Sequence, residues 1–273
     1  MLAEGIHSVV DTGNQILLLY GLQRARKPPD RRFPFGYGKE VYFWSFVVAI
    51  LLFAVGAGVS IFEGISHLLH PRSLENVYIN YIVLGLALVF EGCALYFALL
   101  EFNKIKGDAG YFEAVHKGKD PSMFVVLFED SAAMAGLLVA FLGIFLGQLT
   151  DNPYFDGAAS VIVGLILGAT AIWLAYETKG LLIGESAERG TVQAIREFVQ
   201  AHHEVEHVNE VLTLHMGPEF VLVNLSVSFV DTATAVELEH AISRLDQGIK
   251  EAHPEVKRIF VEAEARRTRP AKQ

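Results

Sequence analysis

The chain has 273 residues, 52% hydrophobic and 19% charged, with a net charge of −9 and a single cysteine, and its mean hydropathy is +0.36. Soluble domains carry about a quarter of their residues as charge, so this composition points to a membrane protein. The acidic balance argues against nucleic-acid binding, and a lone Cys93 excludes an intramolecular disulfide framework or a Cys-rich zinc cluster.

The opening segment, Met1–Leu22, reads as a membrane span with an unusual polar content: Glu4, His7, Asp11, Asn14 and Gln15. One ionisable group at the bilayer centre costs roughly 2.5–3.5 kcal/mol. At about 100° per residue these five side chains share about a third of the helix circumference. His7 and Asp11 are four apart and can grip one ion together. An imidazole with a carboxylate suits a borderline divalent metal such as Zn²⁺, which prefers four ligands.

The connection Gln23–Lys39 is rich in Arg and Lys, and a contact with anionic lipid is compatible with it. A second span follows at Val41–Leu69, with Tyr42 and Trp44 where an interfacial aromatic belt belongs. Near its far end Glu63, His67 and His70 lie at i, i+4 and i+7, a spacing open to a structural or a release-path role. The third span, Val77–Leu100, contains Glu91, and Glu101–Asp120 adds four lysines. The fourth, Met123–Leu149, carries Glu129 and Asp130 beside small residues that permit close helix approach. Phe155–Tyr176 is the fifth. The five spans therefore lie at roughly 1–22, 41–69, 77–100, 123–149 and 155–176 within a membrane domain of residues 1–184. The positive-inside rule puts both basic connections and the C-terminal region in the cytoplasm.

From residue 185 to 265 the pattern turns soluble. Amphipathic helices are expected at Arg189–His202 and Val236–Ile249, and strands at Glu210–His215, Phe220–Val230 and Val256–Glu262. The order α-β-β-α-β closes as a small α+β domain. Residues 266–273 form a polar tail. The fold class is thus a polytopic α-helical membrane domain plus a cytoplasmic α+β domain.

One helix offers two good ligands, His7 and Asp11, so the buried pair Glu129 and Asp130 is expected to complete the metal site, one facing the first span and the other ligating or handling protons. Ligands must lose protons to hold metal, so metal entry expels protons and protonation expels metal. Adjacent His202 and His203, with Glu204 and Glu206, read as a solvated helix end.

The sequence EGIHSVVDTGNQ resembles the second transmembrane helix of the cation diffusion facilitator family, proton-coupled exporters of zinc and related divalent metals. FPFGYGK, FEGISHLLHP and LLIGESA extend the resemblance over nearly the whole chain, and DPSMFVVLFEDSAAMAG with FEGCALYFALLEF is most like the zinc transporter member 9-like branch. The resemblance implies a homodimer, a metallochaperone-like C-terminal fold and a tetrahedral site shared between the first and fourth spans. The family's first helix has no counterpart here, which implies a shortened form or a start placed too late. The partner position of Asp130 is Val126, which cannot ligate, so Glu129 stands in, the site has fewer protein ligands, or another acid such as Glu91 serves, with Glu4 and Asn14 as further accessory candidates. An oxygen-rich site accommodates Mn²⁺ better than a His-rich one. Zinc sites of the cytoplasmic domain are expected to be absent, because Asn209, Asn224 and Phe260 stand at the ligand positions and Glu262 alone remains.

These expectations describe a multi-pass secondary transporter rather than an enzyme, with Zn²⁺ or another divalent ion as cargo and protons as coupling ion. Its membrane would be the inner or plasma membrane in a bacterium. The competing expectation is a membrane-anchored regulator that binds a protein partner and transports little.

Overall fold

The structure, a computed structural model, describes residues 2–71, 77–107, 110–111, 114 and 120–266. The chain divides into two compact units, Met1–Pro28 with Glu40–Lys179, and Pro29–Lys39 with Gly180–Gln273.

The first unit is helical. Its elements are α1 (Leu2–Ala25), α2 (Glu40–Leu69), α3 (Val77–Lys106), α4 (Pro121–Thr150) and α5 (Tyr154–Ile183). Four of them, α2 to α5, are long and apolar enough to cross a membrane. A helix of 30 residues reaches about 45 Å, against a hydrocarbon core of about 30 Å. The helices accordingly overrun the apolar segments: α3 continues through Glu101–Lys106 and α5 through Glu177–Ile183. Backbone hydrogen bonding continues where hydropathy stops.

Local chemistry sets the ends of α4. Asp120 accepts the Ser122 N–H at 3.0 Å, with Pro121 pre-set for the first helical position. At the other end Asp151 adopts φ 51°, and its N–H bonds Gly147 O. Midway along α2, Leu52–Ala57 widens into a π-helical turn. Large apolar side chains such as Phe62, Phe90 and Leu149 project outward, as lipid-facing residues do. Tyr42 does not belong with them. It is fully buried, so the aromatic anchor expected at this end of α2 is Trp44 alone, whose Nε1–H donates to Glu40.

Small residues bring α2 and α5 together. A β-carbon on Gly64 would stand 2.6 Å from Val161 N, and one on Gly164 2.5 Å from Ile61 Cγ1. Backbone contact of this kind is how helices associate where lipid is as apolar as leucine.

The second unit contains α6 (Arg189–Gln200), β1 (Val205–Gly217), β2 (Phe220–Phe229), α7 (Ala235–Ala252) and β3 (Val256–Ala263), the α-β-β-α-β order expected. The sheet order is β1-β2-β3; β1 and β2 form an antiparallel hairpin, while β3 runs parallel to β2 after the α7 crossover. β1 starts five residues before the expected strand because irregularities at Val205/His207 and Val208/Glu210 break the alternation by which a strand is recognised. Ile195, Val199, Val223, Leu225, Leu245 and Ile249 fill the core.

The connection Pro29–Lys39 folds into this unit. Phe35 meets Phe260 edge-on at 6.4 Å between ring centroids, and Gly38 abuts Met216 and Gly217. The Asp30 carboxylate accepts from Tyr37 Oη and from the Arg32 and Phe33 N–H groups, which hold it below its usual range. The start of α7 carries a full capping box between Thr234 and Glu237. Thr234→Ala is expected to destabilise the domain by about 1 kcal/mol, seen as earlier thermal unfolding in detergent; an unchanged midpoint would contradict the cap.

Candidate ion site among the helices

The inward face of α1 follows helical spacing. Asp11 is half-buried, Asn14 and Leu18 are buried, and Gly21 lies against Trp44. This stripe is polar in its first half and apolar in its second. Gln15, placed on the polar face by its sequence position, is exposed instead. Glu4 and His7 lie in the first turns of the same helix; their side chains fall outside the described residues.

Across from this face, α4 presents Glu129 and Asp130, 5% and 7% exposed among apolar neighbours. Asn14 Nδ2 donates to Glu129 Oε1 at 2.6 Å, joining residues 115 apart in the chain. Glu129 is therefore the member of the pair that faces α1. Asn14 Oδ1 is buried and has no hydrogen-bond partner among the described residues. Glu91 on α3 lies half-buried and interacts electrostatically with Asp11 and Asp130. Glu129 feels Asp11, Asp130 and Glu91 in turn, and Asp130 feels Asp11.

Four carboxyl groups from α1, α3 and α4 thus share one electrostatic neighbourhood inside the helical unit. Their simultaneous ionisation in a low-dielectric interior is unfavourable by both desolvation and mutual repulsion. Protons or a cation must supply the missing positive charge. Carboxylates and an amide oxygen are hard donors, suited to divalent ions. Among the described residues no three His, Cys, Asp or Glu side chains converge closely enough to hold an ion together. Asp11, Glu129 and Asp130 are gathered without forming a closed cage. The half-buried Val126, one turn before Asp130, contributes no donor.

The other candidate residues lie apart. His67 Nδ1 pairs with Asp156 Oδ2 at 2.9 Å, joining α2 to α5, and His70 is the exposed residue that ends α2. In the second unit Asn209 donates to Ser226 and to Ala265 O, and Asn224 donates to Glu262 at 3.2 Å. Phe260 packs on Phe35 beneath Arg258. His203 is exposed beside Glu204, and His202 Nδ1 lies 2.9 Å from Phe198 O. The sequence marks Asn14 as an accessory but carries no sign of its bond to Glu129. A helical pattern marks a face without naming the residue that faces it.

A model of the cation efflux transmembrane domain matches residues 1–183. The chain is 32% identical over 301 aligned positions to the proton-coupled zinc antiporter SLC30A9, mitochondrial, of Xenopus laevis, covering 96% of this chain and 54% of that protein. It is 32% identical over 220 positions to metal tolerance protein C4 of Arabidopsis thaliana, covering 80% and 48%. Identity to the manganese efflux system protein MneP of Bacillus subtilis is 22% over 271 positions, covering 96% of this chain and 82% of that protein. The chain spans about half the length of the first two relatives.

Proposed function

The chain belongs to the cation efflux family, the cation diffusion facilitators, and from that premise we propose that it moves a divalent metal, zinc first, across a membrane in exchange for protons. The observation that carries this reading is the gathering of buried Glu129 and Asp130 with half-buried Asp11 and Glu91 in one electrostatic neighbourhood, with Asn14 bonded to Glu129. His7, one turn before Asp11, is assigned as the nitrogen ligand that completes the set.

The physical logic is an exclusion between two kinds of positive charge. Carboxylates that hold a metal have released their protons, and carboxyls that hold protons have lost the lone pairs and charge the metal needs. A bundle that presents the cluster alternately to the two sides then exchanges one for the other. Asn14 keeps Glu129 on the α1 side through this cycle, and its Oδ1 offers one more oxygen. The second unit is assigned to the cytoplasm, supported by the basic residues on either side of Pro29 and in Lys104–Lys119. A homodimer is part of the same proposal, as the family resemblance implies. The competing role, a regulator with little transport, draws its support from Val126 at an expected ligand position and Phe260 at another.

Metal choice offers a test on one side chain. Val126→His is expected to complete a His-x-x-x-Asp pair on α4 and shift preference towards Zn²⁺ over Mn²⁺ by roughly tenfold, since imidazole favours the later metal. Competitive binding of the two ions measures it, and an unchanged ratio would place residue 126 away from the ion.

The function itself is tested by titrating the purified chain with Zn²⁺ in weakly buffered detergent solution containing a pH indicator. Saturable binding with proton release is expected. Binding without proton release would leave a metal site but sink the exchange mechanism.

A further inference from the structure

Beyond the carboxyl cluster, α2, α4 and α5 line a half-open cavity of about 110 Å³. Its polar lining is Ser60 and Glu63 from α2 and Ser160 from α5, while α4 supplies Ala132, Ala133 and Gly136. The volume is several times the ~10–15 Å³ that a water requires, and three polar side chains meet a water's need for partners. Glu63 is half-buried in an apolar span and makes no ion pair or hydrogen bond to another described residue. Its place on the cavity wall gives water or a cation access to its carboxyl group.

Position gives the cavity its meaning. Ala133 lies one helical turn beyond Glu129, about 6 Å along α4, so the cavity begins next to the buried carboxyls. Ser60, Glu63 and His67 follow one another on α2 at i, i+3 and i+7, and Asp156 and Ser160 are four apart on α5. The His67–Asp156 pair therefore lies one turn beyond Glu63 and Ser160, towards the helix ends at Leu69 and Tyr154. Polar side chains thus continue from the cluster to that end of the bundle, through a stretch otherwise built of Ala, Gly, Val and Leu.

We propose that this cavity is a hydrated vestibule for the divalent cation, in which Glu63 is a way-station between the carboxyl cluster and a mouth formed by His67 and Asp156. The proposal rests on the transport reading above and specifies the route on one side of the site. A single carboxylate with waters holds a hydrated ion weakly, as a way-station must. It differs from a second tight site, which would need three or more converging ligands. The small residues of α4 leave the space open, and the two serines supply hydroxyl oxygens to the ion's hydration shell.

Cysteine accessibility in proteoliposomes tests the vestibule without depending on flux. In a Cys93→Ser background, Ser60→Cys and Ser160→Cys are expected to react with a membrane-impermeant thiosulfonate at least roughly tenfold faster than Phe62→Cys on the lipid-facing surface, because the thiolate forms only where water reaches. Saturating Zn²⁺ is expected to slow both. Labelling no faster than at Phe62→Cys, or indifferent to Zn²⁺, would overturn the proposal. Absence of flux with labelling and Zn²⁺ protection intact would count against the transport reading and not against the cavity. In active vesicles Glu63→Gln is expected to slow zinc flux by about tenfold with equilibrium zinc binding unchanged, and Glu63→Asp to recover part of it. Wild-type flux in Glu63→Gln, or loss of zinc binding together with flux, would overturn the way-station role.

Discussion

Asp11→Asn is expected to reduce zinc flux by at least about a hundredfold, more than the 10–100-fold that loss of a supporting contact costs a metal site. The substitution keeps the side chain's shape and removes its charge, so the helix packing that depends on α1 persists. What changes is the balance of the cluster. Asp11 exerts its field on Glu91, Glu129 and Asp130 alike, the one carboxyl common to all three. Without it the site attracts a divalent ion less and gives up fewer protons when one binds. Asp130→Asn should act in the same direction. Normal flux in a monodisperse Asp11→Asn protein would remove Asp11 from the ion's path and with it the assigned site.

Gly164→Leu is expected to detach α2 from α5, destabilising the helical unit by several kcal/mol, beyond the ~1–3 kcal/mol of ordinary overpacking. Even a methyl group at residue 164 would sit 2.9 Å from Ile61 N and 3.0 Å from Ala57 O. Those are backbone atoms of a helix and cannot rotate aside, unlike a side-chain end. Gly85→Leu is the matched control, since a β-carbon there has nothing within 4 Å. Thermal unfolding in detergent should separate the two variants clearly. Equal midpoints would mean that α2 and α5 are not held by backbone contact. The same pair carries Glu63, His67 and Asp156, so their separation should also remove the vestibule.

The four long apolar helices α2 to α5 were legible because hydropathy over about 20 residues is a property of each segment alone. The polar stripe of α1 was legible for a similar reason: Asp11 and Asn14 recur at helical spacing, and so declare one face. Which partner meets that face was not. Glu129 and Asp130 are adjacent and chemically alike, and only the packing of α4 on α1 turns Glu129 towards Asn14. Tyr42 and Gln15 show the converse limit. Each has a side chain suited to the place its sequence position suggested, yet the rotation of its helix within the bundle buries Tyr42 and exposes Gln15. Ser60 and Ser160 carry no signal by themselves, since a serine in a span more often bonds its own helix backbone, as Ser160 also does to Asp156 O. The irregularities in β1 hid that strand's first residues from an alternation pattern, whereas β2, preceded by the Pro218-Glu219 turn and rich in Val, Leu and Phe, stood out.

Metal uptake into proteoliposomes under an imposed pH gradient tests the central claim most directly. With the purified chain, Zn²⁺ uptake should follow the gradient, reverse when the gradient is reversed, stop when it is collapsed, and exceed Mn²⁺ uptake. Uptake of neither metal under any gradient, in vesicles shown to contain folded protein, would contradict metal–proton exchange and favour the regulatory role.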